Sequence, residues 1–158
     1  MENWGQLGVA APYLLCFTLS IVSALVPWIN GEIILLSLTA LAHSPWARIL
    51  LVLSASAGQM AGKCVLYWAG KGVIPLRSDR MKKTISTWKG RFEQSPSKLL
   101  SLVFVSSAVG IPPFYVVTLL AGVLRLRFGP FFTVGACGRL VRFSAVAFVP
   151  WIVFHWFQ

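Results

Sequence analysis

Four ionisable side chains lie inside stretches that are otherwise apolar: Glu32 in VPWINGEIIL, Lys63 in GKCVLYWAGKG, and Arg139 and Arg142 in GACGRLVRF. Arg139 and Arg142 stand at i and i+3, so on a helix they share a face. Two guanidinium forks side by side match the oxygens of a phosphate, whereas a lysine supplies only a point charge. Lys63 allows two readings: a third cation for the same anion, or a side chain that snorkels toward the nearby basic loop. Glu32 allows three: a cap on the free N–H groups of a helix start, a partner for an intramembrane arginine, or a proton carrier. An anion arriving at the arginines would compete with Glu32 for them. A carboxylate so released in a low-dielectric cavity takes up a proton, which would link binding to protonation.

The remaining chemistry is sparse. The acidic inventory is Glu2, Glu32, Asp79 and Glu93, and only Glu32 is set among apolar residues. His43 falls at a surface turn and His155 near the C-terminal edge, far apart and without a carboxylate partner, so no catalytic constellation is expected. Cys16, Cys64 and Cys137 are odd in number and well separated in apolar segments, which reads as small buried hydrophobes rather than a disulfide or metal site. No cofactor and no metal are called for.

Elements of unusual kind are needed to hold charges in such surroundings. Hydrophobic residues make up 57% of the chain and charged ones 11%, with a mean hydropathy of +0.76. A soluble domain carries roughly 25% charge, so the composition is that of an integral membrane protein. The start has no basic n-region or small-residue cleavage site, and the first apolar stretch is expected to be retained. One polytopic membrane domain over 1–158 is expected: a first half at about 11–70, a basic segment at 71–98, and a second half at about 99–158.

A spanning helix needs about 20 apolar residues. Residues 11–26 and 99–110 are both shorter, and each is followed by a breaker, PWING at 27–31 and GIPPF at 110–114. A second short apolar run follows each breaker, at 32–42 and 115–124, whereas 46–70 and 128–157 are long enough to cross. Each half thus reads as a re-entrant helical hairpin followed by a transmembrane helix. Its break is carried by Pro27, Asn30 and Gly31 in the first half and by Gly110, Pro112 and Pro113 in the second. Pro27 falls on Pro112 at an offset of 85, which also sets IILLSL at 33–38 on TLLAGV at 118–123.

Net charge is +10, and eight of the fourteen Lys/Arg lie in 71–98, a cytoplasmic loop by the positive-inside bias rather than a nucleic-acid surface. Within it Ser78 can cap a helix that puts Met81, Ile85, Trp88 and Phe92 on one face and basic residues on the others, an amphipathic interfacial helix ending at Ser95-Pro96. Arg125 and Arg127 share the cytoplasmic side and Arg48 the opposite one. The two hairpins therefore open to opposite sides, which is an inverted-topology repeat, and the site of such folds lies near the midplane where broken helices meet. Irregular backbone at that depth needs protein or a watery cavity around it. Arg139 and Arg142 lie eleven and fourteen residues beyond Phe128, roughly 16 to 21 Å along a helix at 1.5 Å per residue. An arginine there faces a partner or water rather than lipid, unless both snorkel from nearer the interface. Gly58 and Gly62 form a G-x-x-x-G step for close helix packing, and Tyr67 reads as an interfacial anchor.

The segments VPWINGEIILLSLTALA, GKCVLYWAGKG and GIPPFYVVTLLAGVLRLRFGPFF resemble, in order and spacing, the blocks of the DedA/VTT (SNARE-associated) membrane proteins over about residues 20–145. The first resembles the family's Pro-x-x-x-Glu element at Pro27 and Glu32, with one residue more between them. The second resembles Gly-Asp-x-x-x-Tyr-x-x-Gly-Arg at Gly62, Tyr67, Gly70 and Lys71. The third resembles the re-entrant proline segment at Pro112, Ala121 and Gly122. Lys63 stands where the family has an acidic residue, and Ala108 and Phe114 stand near the places of two arginines. The resemblance implies facing re-entrant hairpins and movement of lipids between leaflets, in bacteria notably the phosphate-bearing polyprenyl carrier, with proton coupling.

These readings lead to a transporter or flippase for an anionic, phosphate-bearing lipid in a bacterial inner membrane, and not to an enzyme. Arg139, Arg142, Lys63, Pro112 and Pro113 are the candidate substrate-contacting residues and Glu32 the proton-coupling one. The partners are anionic phospholipid or polyprenyl phosphate, with a homo-oligomer compatible and no nucleic acid. A small-ion or solute carrier and a non-transporting membrane assembly factor are the alternatives.

Overall fold

In the computed structural model, residues 3–26, 28–42, 44–72, 83, 87 and 95–156 are described, without the side chains of 3–9, 96 and 151–156. Among them the helices run in the order α1 (Asn3–Leu25), α2 (Gly31–Ala40), α3 (Pro45–Gly70), α4 (Pro96–Val109), α5 (Phe114–Val123) and α6 (Phe128–Trp156). No strand occurs among the described residues. Two helices, α3 and α6, are long and apolar enough to cross a membrane. At 1.5 Å per residue the ten-residue α2 and α5 extend about 15 Å, half of a ~30 Å hydrocarbon core.

Local chemistry sets the helix ends. Asn30 caps α2 by accepting from the Glu32 N–H at 3.0 Å, and Ser44 caps α3 by accepting from Ala47 at 3.2 Å, with Pro45 in the first turn where no N–H is needed. Gly110 ends α4 in the left-handed region at φ 88°, the usual device for closing a helix C-terminus. Ser106 Oγ then donates to the Pro112 carbonyl at 2.6 Å and pins the break. Both breaks fall where the proline- and glycine-rich segments put them.

The apolar run read at 11–26 is Ala10–Leu25 of a helix that begins earlier, at Asn3. The polar start, Asn-Trp-Gly-Gln, gave no hydrophobic signal, yet it continues the helix. The two sets of elements are not 85 residues apart, which corrects the expected offset: Gly31 and Phe114, Ala40 and Val123, and Pro45 and Phe128 are each separated by 83. An offset anchored on Pro27 and Pro112 fails because the two prolines sit at different places in breaks of unequal length. Pro27, His43 and most of the basic segment lie outside the described residues; within the segment Lys83 and Thr87 are helical, with Thr87 Oγ1 donating to the Lys83 carbonyl at 3.0 Å.

Helix α3 is the hub, touching α1, α2, α5 and α6. It meets α1 backbone to backbone at Gly58 and Gly62, where an added Cβ would strike the Phe17 carbonyl and the Ala24 side chain. Its C-terminal turn meets α5 in the same way, Gly70 against Leu119 and Gly122 against Tyr67. Helix α6 approaches α4 at Gly138, against Ser107, and also packs on α2. Apolar burial forms two clusters. One joins α3, α4, α5 and the start of α6 around Tyr67, Val103, Leu119, Leu120 and Phe131; the other joins α1, α2 and the opposite parts of α3 and α6 around Cys16, Leu35, Leu51 and Phe143. Between the clusters, along the middle of α3 and α6, polar side chains replace apolar ones.

Candidate functional site: a cationic cavity at the helix breaks

Between the two clusters lies a cavity of about 500 Å³ bounded by both helix breaks. Helix α3 contributes Gln59 and Lys63, α6 contributes Arg139 and Arg142, and α2 contributes Glu32 from its first turn. Gln59 and Lys63 are i and i+4, Arg139 and Arg142 i and i+3, so each long helix turns one polar face inward. The N-terminal ends of α2 and α5 line the same space through Asn30, Gly31, Pro113 and Phe114. Half-length helices that start at a cavity direct the positive ends of their dipoles into it.

Glu32 and Arg142 form the central ion pair. Arg142 Nε donates to Glu32 Oε1 at 2.5 Å, and its Nη2 pairs with the same oxygen. Gly110 is packed against that guanidinium, where any Cβ would collide with it. The tip of one break and the first turn of the helix after the other break thus both bear on Arg142. Glu32 also stands in the first turn of α2, near the positive end of its dipole, while the cap hydrogen bond itself is made by Asn30.

Arg139 is held differently. Its guanidinium lies 4.9 Å from the Phe114 ring centre and 5.7 Å from that of Phe143, while its buried Nε has no hydrogen-bond partner. Lys63 does not snorkel: it is 4% exposed, and Nζ donates to the Ala24 carbonyl at 2.8 Å, near the C-terminal end of α1, where helix carbonyls lack intrahelical donors. The same Nζ is 5.7 Å from the Phe114 ring. Gln59 Nε2 donates to Ser23 Oγ at 2.6 Å, and an added Cβ at Gly31 would meet both groups. Three cations and one carboxylate therefore line the cavity among the described residues.

Of the prolines at the second break, Pro113 lines the cavity, while Pro112 turns its carbonyl to Ser106 outside the lining. Tyr67 is not an interfacial anchor: it is 1% exposed, stacked on Phe131 and donating to the Leu126 carbonyl at 2.5 Å. Gln59 is not among the expected site residues, and an amide four residues before Lys63 in an apolar helix is the available signal; Phe114 is marked only by standing near the place of a family arginine. A larger cavity, about 720 Å³, lies against α1 near Pro12 and is lined by groups such as Tyr13, Leu38 and Leu51 without a charged side chain. It offers no electrostatic chemistry.

The VTT domain family matches residues 26–151. No curated protein and no solved structure matches the chain significantly. The matched region runs from the first helix break into the last helix and includes every charged residue of the cavity. Its apolar composition and long apolar helices agree with that assignment: the chain belongs to the VTT domain family, of the DedA/SNARE-associated proteins, and is an integral membrane protein.

Proposed function

We propose that the chain moves a phosphate-bearing lipid between membrane leaflets, with the cavity as the head-group site. The observation that carries this reading is the placement of Lys63, Arg139 and Arg142, with a single carboxylate, between the ends of two half-length helices. Arginine forks suit phosphate oxygens, and cations removed from water need counter-charge. In this reading α1–α2 and α4–α5 are re-entrant hairpins of opposite orientation within one polytopic unit, and the basic segment 71–98 faces the cytoplasm of a bacterial inner membrane. A head group arriving at Arg142 displaces Glu32, which takes up a proton, so that transport couples to the proton gradient.

The test is twofold. Lipid extracted with the purified protein and identified by mass spectrometry should be enriched in phosphate-bearing species over bulk membrane. In proteoliposomes the protein should speed leaflet exchange of a polyprenyl phosphate, and Glu32→Gln should remove its dependence on a proton gradient while exchange without a gradient persists. No enrichment and no exchange would sink the reading. Undiminished pH dependence in Glu32→Gln would remove Glu32 from the coupling and leave it as the partner of Arg142.

A further inference from the structure

The cavity of about 720 Å³ near Pro12 shares no lining residue with the cationic one, and the transport reading makes no use of it. Three elements wall it: α1 through Pro12 and Tyr13, the end of α2 through Leu38 and Ala42, and the start of α3 through Ser44 and Leu51. It is a cleft open to the surroundings, since Leu15 and Leu41 on its lining are 51% and 73% exposed, while Leu51 at its back is 3% exposed. Ser44 and Leu51 are seven residues apart, so the α3 wall runs about 10 Å along the helix. Charge enters at the rim. Arg48, the single charged residue in the first four turns of α3, lies outside the lining, but its Nη2 donates at 3.2 Å to the carbonyl of Ala42, which belongs to it. Trp46, 76% exposed, stands beside it at the helix start, as indoles do where head groups meet hydrocarbon.

We propose that this cleft holds one acyl chain of a resident glycerophospholipid of net negative charge, whose head group meets Arg48. An apolar cleft offers water no partners, and protein interiors leave few gaps larger than one water molecule, so the occupant is apolar and comes from outside the fold. Within a bilayer a hydrocarbon chain is that occupant. Lipid tails are as apolar as the wall, so the chain gains packing rather than desolvation, and selectivity falls to the charge at the rim. A cation there favours an anionic head group over a zwitterionic one. A cation at one end with about 10 Å of apolar wall beside it matches an amphiphile lying along α3 with its head at the α2–α3 turn. The lipid is resident rather than carried, because a buried cluster stands between the two cavities: Leu51 faces the cleft and Phe143 the cationic cavity, and both belong to it with Cys16 and Leu35. So placed, the chain completes the packing of α1 against the α2–α3 turn, whatever the cationic cavity binds.

The test is photolabelling of the full chain in phosphatidylcholine nanodiscs by a trace of phosphatidylglycerol carrying a diazirine on one acyl chain, with labelled residues mapped by mass spectrometry. Lipid that merely surrounds the protein labels exposed apolar residues alike, and Val141 and Val149 of α6, 57% and 54% exposed, report it. Tyr13, Leu38 and Leu51 should be labelled severalfold more strongly than these valines. Ala47 lines the cleft, so Ala47→Phe puts a ring into it and should abolish labelling there; unchanged labelling of the two valines shows that the variant is folded. The phosphatidylglycerol probe should label the cleft about fivefold more than its phosphatidylcholine counterpart, the scale of one basic residue near a membrane surface, and Arg48→Gln should bring the two together. Cleft labelling no stronger than at the valines, or undiminished in Ala47→Phe, overturns the proposal. Equal labelling by the two head groups in the wild type overturns the role of Arg48. A diazirine-bearing polyprenyl phosphate that labels the cleft more strongly than the phospholipid makes it the path of a carried lipid and overturns residence. A cleft that no probe labels while the valines are labelled is covered by protein, and overturns the lipid.

Discussion

Glu32 and Arg142 are 28% and 22% exposed, between a surface pair and a fully buried one. Exposed pairs contribute little, but removing one member of a desolvated pair leaves the other without its counter-charge. Glu32→Ala should therefore lower unfolding stability by about 1 to 3 kcal/mol, the range for a lost hydrogen bond to a charged group, and Glu32→Gln by less because the amide still accepts. Thermal unfolding in detergent checks this, and an Arg142→Gln partner variant should show a smaller added loss than in the wild type. Arg139→Lys keeps the charge but loses the plane that lies over Phe114 and Phe143. Lipid exchange should fall about tenfold, and wild-type exchange would show that only charge matters at this position. At this scale the site was legible because intramembrane charges are few: Glu32, Arg139 and Arg142 stand out of apolar sequence. Lys63 was ambiguous because depth, which decides between snorkelling and burial, depends on where α3 lies against α1 and not on its own neighbours in sequence.

At the scale of elements, glycine contacts decide which helices meet. Gly58→Val should be severely destabilising, by several kcal/mol, because its Cβ would enter the Phe17 carbonyl and both backbones would have to separate. Gly129 in the first turn of α6 has nothing near its missing Cβ, so Gly129→Ala should be neutral or gain up to about 1 kcal/mol from helix propensity. A matched loss at both positions would show that α1 and α3 do not pack as described. Gly110→Ala meets two obstacles, a left-handed φ of 88° and the Arg142 guanidinium, and should reduce both stability and lipid exchange. Breaks were readable from sequence because Pro and Gly act within a few residues. The extension of α1 to Asn3 was not, since a polar start carries no periodic apolar signal. The separation of 83 residues was hidden for a related reason: proline marks a break without marking its length.

At the scale of the whole molecule, Trp28 from the first break and Pro113 from the second line one cavity, with Trp28 92% exposed. In a background lacking Cys16, Cys64 and Cys137, cysteines at 28 and 113 should be joined by a short bifunctional maleimide. If both were labelled singly but never joined, the two breaks would not share a cavity. The packing around α3 also bears on how such a molecule can move. Helix α5 belongs by sequence to the second half, yet its backbone is keyed to α3 at Gly70 and Gly122, and Tyr67 bolts the following turn through Leu126. Helix α4, its neighbour in sequence, lies on α6 instead. A rocking motion of the first half against the second would shear these glycine contacts, where neither backbone has a side chain to yield. The glycine contacts thus tie α5 to α3 across the boundary between the two halves of the chain, so that any displacement of one half against the other would have to carry α5 along with α3.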